Sequence, residues 1–194
     1  MNSATTQNQK GFTLVEIAIV LVIIGLLLGG VLKGQELITN AKIKSVTGDL
    51  EGITAAYYAY RDRTGAVPGD DGAGAGNTAN DGSIDTNAVF WNNLGREGFI
   101  VGGSAASAPN HDLDGVFSAG NDGANTGLFS GKNYICADTI KTSIAQGMDT
   151  KLDDGNPTTG IIKAATTAAN VTSGTALADY TTAPDASVLV CREL

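Results

Sequence analysis

Phe12-Thr-Leu-Val-Glu-Ile-Ala-Ile-Val-Leu-Val-Ile-Ile-Gly-Leu-Leu-Leu-Gly-Gly-Val-Leu32 is an apolar run broken by a single acid, Glu16. As an α-helix it would extend about 30 Å, the thickness of a bilayer's hydrocarbon core. Lys10 and Gly11 stand immediately before it, at the end of a short polar segment. An ordinary secretory signal places its apolar stretch ahead of a small-residue cleavage site. Here the apolar stretch follows the charged segment and no A-x-A-like site closes it, so the run is expected to stay in the mature protein. Lys10 on one side, and Lys33, Lys42 and Lys44 on the other, leave its orientation across a membrane open.

The helical pattern continues beyond the run. Ile43, Val46, Leu50, Ile53, Tyr57 and Tyr60 recur at spacings of three and four, which makes one apolar stripe. Lys42, Lys44, Thr47, Asp49 and Glu51 fall between them. Arg61 and Arg63 suit a helix C-terminus, and Gly65 with Pro68 supplies the stop. The spacing predicts one helix from Phe12 to about Arg63, apolar all round in its first half and burying one face in its second. Gly25, Gly29, Gly30 and Gly34 permit close helix packing and also weaken the helix locally.

The remainder is rich in Gly, Ala, Thr, Asn and Asp, which predicts a loop-rich domain with a small core. Ala88 to Leu94 reads as a short helix turning Phe90, Trp91 and Leu94 inward. Phe99-Ile100-Val101 and Gly115-Val116-Phe117 are short apolar runs. Leu128 to Ala137 reads as a strand region ending near Cys136, and Thr139 to Met148 as a short helix with Ile140, Ile144 and Met148 on one face. Asp153-Asp154-Gly155-Asn156-Pro157 is a strong turn. Gly160 to Ala165 and Ser187 to Arg192 read as strands, with an exposed Thr/Ala-rich loop over 164–186.

Net charge is −8, and an acidic surface repels phosphate backbones, so no nucleic-acid partner is predicted. Cys136 and Cys191 are too far apart in sequence for a CxxC redox or zinc motif. Each ends an apolar, strand-like run, and a structural disulfide between them is the natural expectation outside the cytoplasm. Closing a loop of about 55 residues contributes roughly 4 kcal/mol in the chain-entropy model. Two buried free thiols are the alternative.

The segment Lys10-Gly11-Phe12-Thr13-Leu14-Val15-Glu16, followed directly by an apolar helix, resembles the prepilin processing signature of type IV pilins and type II secretion pseudopilins. The resemblance implies a prepilin peptidase that cuts between Gly11 and Phe12 and N-methylates Phe12. It also implies an assembly role for Glu16 and a pilin-like α+β fold, in which a long N-terminal helix packs on a small antiparallel sheet. A carboxylate in lipid costs roughly 2.5–3.5 kcal/mol at a helix centre on insertion scales, and less near the interface. Cleavage after Gly11 would expose an ammonium on Phe12, and in a bundle that charge can meet Glu16 of a neighbour and fix the register. The chain lacks the helix proline of many major pilins. The stretch Tyr57 to Asp71, with Phe90-Trp91 and Leu152 to Gly155, is similar to a less-studied group of prepilin-type proteins.

On this reading residues 1–11 are a cleaved leader, 12–34 a transmembrane and assembly helix, 35–64 its amphipathic continuation, and 65–194 an exported head. The implied function is a structural filament subunit, homo-oligomeric or mixed, and not an enzyme. It is first a single-pass inner-membrane precursor that meets an assembly platform, then part of a periplasmic or extracellular filament. Alternatives are a type II secretion pseudopilin, a minor pilin or adhesin, and a monomeric membrane-anchored binding domain.

One metal candidate stands out in the head. Asn110, Asp112 and Asp114 alternate ahead of Gly115 as oxygen ligands do at the start of a calcium loop, and Asp122 lies near the position of the closing acid. Asp70, Asp71, Asp81 and Asp85 form a second, less regular acidic loop. The competing explanation is ordinary turn chemistry, which favours the same residues. His111 is the only histidine, and no nucleophile motif accompanies it, so no catalytic residue is assigned.

Overall fold

A computed structural model describes residues 11, 13–72, 79–102, 107–123, 127–181 and 186–194. The chain divides into two compact units, Met1–Asn40 and Ala41–Leu194. One helix, α1 (Leu14–Thr64), contributes to both. The rest follows in the order α2 (Asn87–Arg96), β1 (Asn110–His111), β2 (Gly115–Asn121), β3 (Asn133–Lys141), α3 (Thr142–Leu152), β4 (Ile162–Ala165), α4 (Ala168–Thr172) and β5 (Ser187–Glu193).

The strands form one antiparallel sheet in the order β1-β2-β3-β5-β4. The architecture is α+β, with the second half of α1 packed on the sheet. The predicted stripe supplies Val46, Leu50, Ile53 and Tyr57, all buried. They meet Phe90, Trp91 and Leu94 of α2, which are fully buried, together with Phe117 and Ile135 from the sheet. Phe90 and Trp91 pack edge to face at 4.8 Å. Helix α3 approaches α1 closely because residue 147 is glycine; a Cβ there would sit 2.5 Å from Ile43 Cδ1. A smaller apolar cluster on the opposite face contains Leu128, Phe129, Ala165, Val171 and the two cysteines.

Cys136 and Cys191 face each other across β3 and β5, with Cα atoms 3.9 Å apart, and are joined in a disulfide. The bridge therefore links the central strand to its neighbour rather than tying down a loop.

Three local expectations need correction. Strand β3 does not end near Cys136; it begins at Asn133 and continues to Lys141 through an irregularity between Ala137 and Ile140, where Thr139 adopts φ +57°. The following helix consequently starts at Thr142, and Ile140 reaches the core from the strand. The Thr/Ala-rich segment is not simply an exposed loop, since it holds α4 and buries Val171 and Tyr180. Phe99-Ile100-Val101 forms a turn with Val101 fully exposed, whereas the run at Gly115 opens β2.

Asn133 locks these parts together. Its Nδ2 donates to Tyr57 Oη at 3.1 Å and to the Gly82 carbonyl at 2.8 Å, while its Oδ1 accepts from Ile84 N and Asn121 Nδ2, both at 2.9 Å. Four hydrogen bonds fill the capacity of a buried amide, which otherwise costs free energy to desolvate.

Candidate functional site

The N-terminal segment is built around the start of α1. Thr13 donates from its backbone N and from its hydroxyl to Glu16 Oε2, both at 2.7 Å. Glu16 N donates back to Thr13 Oγ1 at 3.3 Å. This reciprocal arrangement is a capping box: a threonine and a glutamate three residues apart satisfy donors that the helix start leaves unpaired. The first helical bond runs from Ile17 N to Thr13 O. Gly11 is exposed and precedes the helix, and a Cβ there would meet none of the described residues within 4 Å. Residues 1–10, Lys10 among them, and Phe12 lie outside the described residues.

From Leu14 to Ile38 the large apolar side chains of α1 remain exposed, among them Leu14 at 87% and Leu26 at 73%. The helix is long and apolar enough to cross a membrane. A Cβ at Gly25, Gly29, Gly30 or Gly34 would meet none of the described residues within 4 Å. Their small size therefore answers to no packing among the described residues. The helix runs unbroken through all four.

The acidic loops of the head are largely occupied by their own backbone. Asp70 accepts from Asn80 N at 2.6 Å and Gly82 N at 2.8 Å, and Asp85 from Gly72 N at 2.7 Å. Asp122 is buried, with its two oxygens taken by Phe129 N at 2.5 Å and Gly131 N at 2.6 Å. Asn110 lies in β1, Asp112 accepts from Ser45 Oγ at 2.5 Å, and Asp114 occupies a turn with φ +61°. Burial, together with the Asp112 charge, pushes the Asp49 carboxyl upward.

His111, which the sequence places in a polar loop, is buried. Its Nδ1 accepts from Leu113 N at 3.2 Å, so Nε2 carries the proton and donates to the Asp138 carbonyl at 2.9 Å. Both ring nitrogens are thus used structurally, with Phe117 packed edge-on at 5.2 Å.

Among the described residues, three acidic side chains meet closely enough to hold a metal ion: Asp149, Asp153 and Asp154, with carboxylate oxygens within 4.8 Å of one another. None of them belongs to the Asn110, Asp112, Asp114 and Asp122 set. Asp149 is fully buried and accepts from Tyr180 Oη at 2.7 Å and Gly155 N at 3.1 Å. Burial raises its carboxyl above the ordinary range, and raises the Tyr180 phenol as well. Asp153 accepts from Ile161 N and Ile162 N; Asp154 accepts from Thr159 Oγ1 and Asn156 N, which hold it low. Gly160 is required beneath this cap, since a Cβ there would meet Asp153 Oδ2 at 1.8 Å. The turn signal at Asp153-Asp154-Gly155 was legible, whereas the buried Asp149–Tyr180 contact, between residues 31 apart, was not.

Residues 6–32 match the family model described as the prokaryotic N-terminal methylation motif. No curated protein and no solved structure matches the chain. The match covers the prepilin signature of type IV pilins and pseudopilins, and it supports a pilin-like or pseudopilin protein subject to a prepilin peptidase. Such a motif points to a structural subunit rather than an enzyme, and with the apolar helix it suits membrane insertion.

Proposed function

We propose that this chain is a structural subunit of a type IV pilus-like filament, polymerised through its N-terminal helix with copies of itself or with other pilins. One observation carries the reading: the methylation motif at residues 6–32 runs directly into a helix whose large apolar side chains are left uncovered as far as Ile38. Exposed apolar surface of that extent requires lipid before assembly or other helices after it.

In this scheme residues 1–11 are removed by cleavage between Gly11 and Phe12, and Phe12 is N-methylated. Residues 12–34 serve first as the membrane span and then as the assembly helix, 35–64 continue it, and 65–194 form the exported head. The precursor waits in the inner membrane, and an assembly platform moves it into a periplasmic or extracellular filament.

The capping box gives Glu16 a role at each stage. Before assembly its carboxylate is held by Thr13 of its own chain. In the filament the ammonium of a neighbouring Phe12 competes for it, adding the attraction of a full positive charge to a carboxylate that until then meets only neutral donors. Mass spectrometry of the mature N-terminus tests the processing step: a chain beginning at methylated Phe12 is expected, and an intact Met1 on functional protein overturns it. Glu16→Ala should abolish filaments while leaving the membrane-stored precursor at its normal level. Normal fibres from that variant would remove the electrostatic basis of the proposal.

A further inference from the structure

A concavity of about 560 Å³ lies in the head beside the C-terminal end of α1. Tyr58, Arg61, Asp62, Val67, Asp70 and Asp81 are among the residues that line it. The filament role makes no use of these groups. Tyr58 keeps 48% of its surface exposed, although its neighbour Tyr57 is buried. The two rings meet edge to face at 5.2 Å, which holds the Tyr58 ring in place. The Arg61 guanidinium stands 5.5 Å from the centre of the Tyr57 ring and forms no ion pair among the described residues. Asp70 accepts from the backbone N of Asn80 and of Gly82, and so ties the two stretches of the lining together.

We infer that this pocket binds a neutral sugar of one or two rings. The volume falls within the range of small-molecule sites, about 300–1,000 Å³. The chemistry of the lining selects the class. An anion would face the carboxylates of Asp62, Asp70 and Asp81, and a cation would face Arg61. An uncharged polyol answers both signs together, because each hydroxyl donates to a carboxylate and accepts from a guanidinium. The flat C–H face of a pyranose also needs a rigid ring that is part apolar and part polar, and Tyr58 supplies one.

The test uses the full chain in dodecylphosphocholine micelles, a detergent without a sugar headgroup. Methyl α-glucoside, methyl α-mannoside and N-acetylglucosamine are titrated separately while amide NMR shifts are followed. At least one should give saturable, millimolar binding centred on Tyr58, Gly65, Ala66 and Gly82. Tyr58→Ala and Arg61→Met should each weaken it about tenfold or more, with the dispersed amide spectrum of the head retained. No saturable response to any of the three sugars overturns the proposal, as does saturation elsewhere on the head or an unchanged response in Tyr58→Ala. Putrescine and acetate are run in parallel, and saturation of the pocket by either one in preference to the sugars overturns it too.

Discussion

The unit ending at Asn40 and the unit beginning at Ala41 treat apolar side chains in opposite ways. In the first, Leu, Ile and Val from residue 14 to residue 38 are left exposed, and the helix is held by its own backbone bonds and by the Thr13–Glu16 cap. In the second, comparable side chains vanish into a core completed by residues far apart in sequence, such as Leu50, Trp91, Ile135 and Val190. The first unit is legible from composition alone because no distant residue among those described covers its side chains. On the proposed function its apolar surface is covered by lipid or by neighbouring helices, whereas the second unit has a core of its own.

The sharpest way to break this contrast is a matched pair of truncations. Trp91→Ala, at a fully buried site, should cost the head roughly 3–5 kcal/mol, measured by chemical denaturation followed by circular dichroism. Leu21→Ala, at a site 64% exposed, should leave the denaturation midpoint of the head unchanged. Equal losses would mean that the two units are not energetically distinct.

Reducing the Cys136–Cys191 bridge comes next, with an expected loss of about 2–5 kcal/mol in the head and none in the helical signal of the first unit. A head equally stable with and without reductant would show that the pairing of β3 with β5 suffices alone.

A smaller effect concerns pH. Burial holds the Asp149 carboxyl above its ordinary range despite hydrogen bonds from Tyr180 and Gly155 that pull the other way. The folded pKa thus exceeds the unfolded one of about 3.9. The stabilisation from this group is fully present below the unfolded value and is lost as pH rises through the folded one. Asp149→Asn removes the titration, so its denaturation midpoint should fall less than that of the parent chain between about pH 4 and pH 7. Parallel pH profiles would exclude Asp149 as the responsible group.

What could be read in advance follows the same division. The stripe from Ile43 to Tyr57 and the inward trio Phe90, Trp91 and Leu94 are local periodicities, and a helix displays them whatever packs against it. The boundary between β3 and α3 was misplaced because Ile140, Ile144 and Met148 all reach the core, which imitates one helical face; Ile140 does so from a strand. Val171 and Tyr180 are isolated apolar residues in a Thr/Ala-rich segment, and no period announces their burial. The acidic loops were ambiguous for a chemical reason: Asp and Asn that cap backbone N–H groups, as Asp70 and Asp122 do, share their pattern with oxygen ligands for a cation. The buried His111 was missed because its acceptor, the Asp138 carbonyl, lies 27 residues away.

The covalent link between β3 and β5 has a mechanical consequence. A subunit pulled from its N-terminus can pay out chain only until the strain reaches Cys136, because the bridge takes up the load there and passes it straight to Cys191. The segment between them, with a sequence separation of 55 and about 180–200 Å of contour when fully extended, is withheld from the stretch. A tethered molecule under tension would therefore lengthen only to a bounded extent, and adding reductant would release the missing length.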